Sequence, residues 1–233
     1  MKTKILQIGT FIVSCIIAVG LYLKVDIIQK GGPVMVPIIL CSIFAFGIAV
    51  DRIMHLYRAR IDTDKFMDEV TTALKRNKIN DAVLICDATQ GPISNIFKAG
   101  ILKHNYPKSE IREAIEDAGL HEVPKLERNL SALATIAHVS PLLGLLGTVL
   151  GMVKCFQIIQ QKAASFYPVS PADLAGGIWE ALITTVAGLI VAIPAFVVYN
   201  YLVSRVDNFV LQMEVLVTDL LNILIQKQER YEV

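Results

Sequence analysis

This sequence predicts an all-α membrane protein whose long transmembrane helices extend into a cytoplasmic helical domain, and three features predict it. Apolar residues make up 54% of the 233 and charged residues only 18%. Residues 181 to 204 carry no charge, and a bilayer-crossing helix needs about 20 apolar residues. Between the apolar runs lies a long polar stretch whose apolar residues recur at helical spacing. The formal net charge of +1 leaves neither a basic footprint for nucleic acid nor an acidic tail. Cys15, Cys41, Cys86 and Cys155 are widely spaced, with no CxxC pair and no histidine at ligand spacing. Neither a disulfide nor a metal site is therefore expected, and no cofactor motif stands out.

Residues 1–32 are expected to form an N-terminal transmembrane anchor and a short periplasmic link. Lys2 and Lys4 precede the apolar run Ile5 to Leu23, and Gly31-Gly32-Pro33 closes the link as a turn. Ala18 and Gly20 offer a weak signal-peptide cleavage pattern, but the run continues through Leu21, Tyr22 and Leu23, which favours a retained anchor. A transmembrane helix follows over 33–57, with Pro33 and Pro37 tolerable in its first turns. His55, Arg58 and Arg60 mark its far end as cytoplasmic.

Residues 58–138 predict a cytoplasmic helical domain, with twelve basic and twelve acidic side chains between Arg58 and His138. Phe66, Val70, Ala73 and Leu74 form one helical stripe and Ala82, Val83, Ile85 and Cys86 another. Asp62 is a candidate N-cap for the first helix, and Gly91-Pro92 stops the second. A third, from Ser109-Glu110, is expected to run without a clear break toward the next span despite Gly119 and Pro124. His55, His104, His121 and His138 are surface or packing residues on this reading. No nucleophile with a base, paired-carboxylate site or phosphate loop is visible, so an enzyme is not expected.

Residues 139–204 predict a transmembrane hairpin. In its first arm Gly144, Gly147 and Gly151 allow close approach of another helix, with Thr148 among them. Lys154 lies a turn or two from the outer end, placed to snorkel to the interface or to pair with an acid. Ser170-Pro171-Ala172-Asp173 starts the second arm, with Ser170 as N-cap, Pro171 at the first helical position and Asp173 at the third. That arm carries Glu180, Thr184, Thr185 and the small residues Gly188, Ala192 and Ala195. A carboxylate inside a span costs about 2 to 3 kcal/mol unless it meets water, a partner or a cavity, so Glu180 is the first functional candidate. The bland alternatives are a solvated Glu180 at headgroup level and threonines bonded to their own helix carbonyls. Residues 205–233 predict a cytoplasmic amphipathic helix with Val206, Phe209, Val210, Met213, Val217, Leu220, Leu221 and Leu224 on one face, able to zip against the soluble helices or a neighbouring subunit.

The segments SPLLGLLGTVLGMVKCF and GIWEALITTVAGLIVAIPAFVVYNYL together resemble the MotA/TolQ/ExbB proton-channel family, closest to its ExbB and TolQ branch. The resemblance implies a proton-channel (stator) subunit of a multi-pass motor in the inner membrane of a Gram-negative bacterium, coupling the proton motive force to work on the cell envelope. Outer-membrane transport is the first choice of process, ahead of envelope maintenance and motility. It further implies a homo-oligomer, expected as a pentamer in the lipid bilayer, around an ExbD- or TolR-like single-span partner whose membrane aspartate carries the proton. Family threonines and glutamate map onto Thr148, Glu180 and Thr185. Helical periodicity instead pairs Glu180 with Thr184, about 40° away against about 140° for Thr185, so one threonine would line a lumen and the other face an adjacent subunit. Lys154 stands where the family is commonly polar but uncharged and is a candidate modulator of a nearby carboxylate. A non-conducting membrane scaffold explains the glycines but gives Glu180 no task, and a secondary transporter would need internal repeats or broken helices.

Overall fold

The computed structural model describes residues 26–59, 63–89 and 91–231. The expected N-terminal span over residues 5–23 and the Asp62 cap lie outside the described residues. Eight helices follow in order among the described residues: α1 (Asp26–Lys30), α2 (Met35–Ala59), α3 (Thr63–Lys75), α4 (Ile79–Ala88), α5 (Pro92–Leu102), α6 (Lys108–Glu127), α7 (Leu130–Ala164) and α8 (Pro171–Tyr231). Among the described residues three stretches are long and apolar enough to cross a membrane, within α2, α6–α7 and α8. The chain divides into two compact units, one from the described part of Met1–Val50 with Asn129–Asn200, the other from Asp51–Arg128 with Tyr201–Val233.

In the first unit α7 and the first half of α8 form an antiparallel hairpin, and α2 packs beside them. Gly31 and Gly32 turn the chain into α2, their N–H groups donating to Ile28 O and Gln29 O at 3.2 and 3.1 Å. Gly32 has φ +68°, a left-handed conformation that glycine adopts without strain. Val34, Met35 and Ile38 then bury against Leu143, Ala187, Val191 and Ile28. At the hairpin mouth Asp173 accepts from the Ser170 N–H and hydroxyl, both at 2.8 Å, and from Lys162 at 2.6 Å. This fastens the end of α7 to the start of α8, where an acid also suits the helix dipole.

The expected unbroken run from the third soluble helix into the membrane is corrected by a break between α6 and α7. Arg128 is extended (ψ 135°) and Asn129 left-handed (φ 64°), a conformation the short asparagine side chain tolerates. Gly119 and Pro124 interrupt nothing: both lie within α6, although Pro124 has no N–H to donate to the preceding turn.

The second unit is a helical layer built on the predicted stripes. Phe66, Val70, Leu74, Ala82, Cys86, Ile93, Phe97, Ile101, Ile111 and Ile115 are buried, with the Phe66 and Phe97 rings 5.3 Å apart. The C-terminal part of α8 adds Val206, Met213, Leu220, Leu221 and Leu224 to the buried set. Leu220 lies against Gly100, so this stripe covers the soluble helices of its own chain. The α8 helix is 61 residues long with Pro194 inside it, well beyond the about 20 residues a bilayer crossing needs. Burial, with Asp87 adding to it, pushes the Cys86 thiol up to about 11. Cys86 is therefore expected to resist iodoacetamide at pH 8 in the folded protein and to react once unfolded, as peptide mass spectrometry would report.

Candidate functional site

The α7–α8 hairpin is closed by a seam of small residues. A methyl group on Gly151 would come within 2.5 Å of the Gly177 carbonyl oxygen, and one on Gly188 within 2.6 Å of Ser140 O. One on Gly147 would overlap the Thr184 side chain, and one on Gly144 would reach 3.1 Å from the Thr185 backbone. All four glycines named from the sequence thus lie against the facing arm, Gly144, Gly151 and Gly188 against its backbone and Gly147 against the Thr184 side chain. Gly177, Ala181, Ser140 and Cys155 complete the seam, and the α8 members follow the i, i+4, i+7, i+11 spacing that could have identified them. Close backbone contact supplies dispersion where lipid removes the hydrophobic drive for helix association.

The two adjacent threonines have separate fates. Thr184 is fully buried, and its hydroxyl donates to Glu180 O and Ala181 O, both at 2.9 Å. The periodicity that paired it with Glu180 describes its position, and in the single chain it is enclosed inside its own hairpin against Gly147. Thr185 is partly exposed, and its hydroxyl lies 3.2 Å from Ala181 O and 3.3 Å across the seam from Gly144 O. Thr148 is also partly exposed and donates to Leu145 O on its own helix at 2.6 Å. No described hydrogen bond joins Thr148 to Thr185. Both have surface in the single chain, and both can exchange a backbone acceptor for another partner.

Glu180 is enclosed and paired within the single chain. Its side chain is 9% exposed, and Lys154 Nζ reaches its carboxylate oxygens at 2.6 and 2.5 Å. The Lys154 side chain, 47% exposed, runs inward to the acid, since its neighbour Cys155 lies level with Gly177. Of the two placements the sequence left open, pairing with an acid is the one observed. A buried carboxylate is tolerated when a cation with good hydrogen-bond geometry compensates its lost hydration. Gly32 also lies directly against the carboxylate, since a methyl group there would overlap Oε1. Sequence reasoning marked Gly31-Gly32-Pro33 as a turn and missed this contact, because nothing local brings residue 32 to residue 180. Among the described residues no group of three histidines, cysteines or acids comes together to hold a metal.

The site therefore offers an enclosed acid–base pair and two surface hydroxyls on one close-packed hairpin. The profile of the MotA/TolQ/ExbB proton channel family matches residues 88–215, which contain all of these groups except Gly32. A putative biopolymer transport protein ExbB homolog from Methanothermobacter thermautotrophicus is 30% identical over 192 residues, covering 82% of this chain and 67% of its own. The biopolymer transport protein ExbB of Neisseria meningitidis is 31% identical over 76% of this chain and 85% of its own. The Tol-Pal system protein TolQ of Haemophilus influenzae is 31% identical over 80% and 84%.

Proposed function

Because the chain belongs to the MotA/TolQ/ExbB proton channel family, we propose that it is the proton-channel subunit of an energising complex in a cytoplasmic membrane. Several copies, five on the family pattern, surround an ExbD- or TolR-like single-span partner whose membrane aspartate takes and releases the proton. The observation that carries this reading is Glu180, an enclosed carboxylate in an otherwise uncharged stretch of helix, held by Lys154 beside a seam of small residues. Exposed apolar side chains on both arms, among them Leu142, Leu145, Val149, Leu182 and Ile193, supply surface for lipid and further helices.

In this mechanism protons enter near Glu180 from the hairpin mouth, reach the partner's carboxylate between Thr148 and Thr185, and leave to the cytoplasm. The two hydroxyls suit the task because each donates and accepts, and so can hold water or either form of a carboxyl group. Thr184 serves packing. Each proton crossing 100 mV supplies about 2.3 kcal/mol, which biases movement of the partner helices when several act in turn. The work performed is transport across the envelope.

Thr148→Val with Thr185→Val is expected to leave assembly intact and to lower proton flux through the reconstituted complex about tenfold or more. A Lys at either position should abolish coupled work. Unchanged flux and energised function in the double valine variant would remove both hydroxyls from the pathway. A complex that assembles and passes no protons at all would favour the scaffold reading, which the helix-satisfied hydroxyls of Thr148 and Thr184 support.

A further inference from the structure

We propose that the Gly31-Gly32-Pro33 turn is a gate over Glu180: seated as observed, it shuts the carboxylate off from the hairpin mouth, and a proton passes through Glu180 only when the turn lifts. The inference rests on the reading of Glu180 as a proton-path group.

Three observations carry it. Glu180 is closed on two sides, by the Lys154 ammonium and by the Gly32 backbone, and retains 9% of its side-chain exposure. Displacing Lys154 breaks two charge-assisted hydrogen bonds to a buried acid, a costly step. Displacing the turn as a body keeps the bonds of its glycines, since the Gly31 and Gly32 N–H groups and the Gly32 carbonyl are spent on Ile28, Gln29 and Met35 within the turn itself. No described hydrogen bond ties the turn to Glu180. The turn is seated instead by apolar contact at Val34, Met35 and Ile38, one, two and five residues beyond it, and Pro33 at its tip is exposed. A steric cover that leaves its polar groups satisfied in both positions can open and reseat cheaply. Glycine at position 32 is what permits it to seat at all, through φ +68° and through the absence of a Cβ beside Oε1.

A reversible lock tests the gate. A Cβ at Gly31 would lie 3.0 Å from Ile183 Cγ2, and the Met35 side chain it also meets is flexible, so Gly31→Cys with Ile183→Cys can join turn to hairpin by a disulfide. The complex isolated from membranes is reconstituted into vesicles, and proton flux is measured after oxidation and again after reduction, with each single cysteine variant as control. Oxidation of the pair is expected to lower flux about tenfold or more and reduction to restore it. Equal flux in both states, with the disulfide verified by mass spectrometry, overturns the gate while leaving conduction standing. Absence of flux from the wild-type complex overturns conduction and the gate with it. Gly32→Ala provides the second arm: its methyl group holds turn and carboxylate apart, so flux is expected to rise several-fold. Unchanged flux in that variant also overturns the gate.

Discussion

Gly151→Leu is expected to destroy the folded hairpin, and with it membrane assembly and every activity. The first added carbon already meets the Gly177 carbonyl oxygen at 2.5 Å and the Ala181 Cβ at 2.9 Å. A backbone atom inside a helix cannot rotate away as a side chain can, so the two helices must separate. Overpacking a core costs about 1 to 3 kcal/mol when neighbours can adjust, and here the whole seam from Ser140 to Cys155 would open. Gly176→Ala, one residue from the contact, meets nothing within 4 Å and is the matched control, expected to assemble normally. The yield of detergent-extracted oligomer on a sizing column separates the two. Comparable yields would mean that the seam does not hold the hairpin.

Lys154→Met is expected to have the second largest effect, because it strands Glu180 in an enclosed site without its cation. Breaking a fully buried pair by removing one partner costs about 3 to 5 kcal/mol, and an exposed pair is worth roughly 1 or less. Lys154 is half exposed and Glu180 nearly buried, so the cost falls between these limits. The loss should be visible as a lower unfolding temperature of the extracted complex. Adding Glu180→Gln is expected to recover most of that stability by removing the stranded charge, without recovering proton flux. Lys154→Arg should keep both. If Lys154→Met and Lys154→Met with Glu180→Gln unfold at the same temperature, the ion pair contributes nothing to the fold.

The seam was legible in the sequence to the extent that small residues recur at helical spacing. Gly144, Gly147, Gly151 and Gly188 could be assigned to a packing face because few other arrangements suit four glycines in two apolar spans. The threonines were less legible. Thr184 and Thr185 are adjacent and chemically identical, and a rotation of about 100° per residue alone separates an enclosed hydroxyl from a partly exposed one. Which is which depends on where Gly147 and Gly144 stand on the facing helix, and that register is a property of the pair.

The sequence by itself determined the helical class, the apolar spans, the amphipathic stripes of the soluble helices and the candidacy of Glu180. Each follows from local periodicity and from the cost of a charge in an apolar run. Only the tertiary structure decided what satisfies Glu180. Lys154 stands 26 positions away and Gly32 is 148 positions away, and neither spacing carries a periodic signal. It also placed the break at Asn129, where helix propensity continues and the local backbone does not. Contacts between distant residues arise from the packing of whole helices. They are set by which small residues let two backbones meet, and the chemistry at Glu180 is a consequence of that meeting.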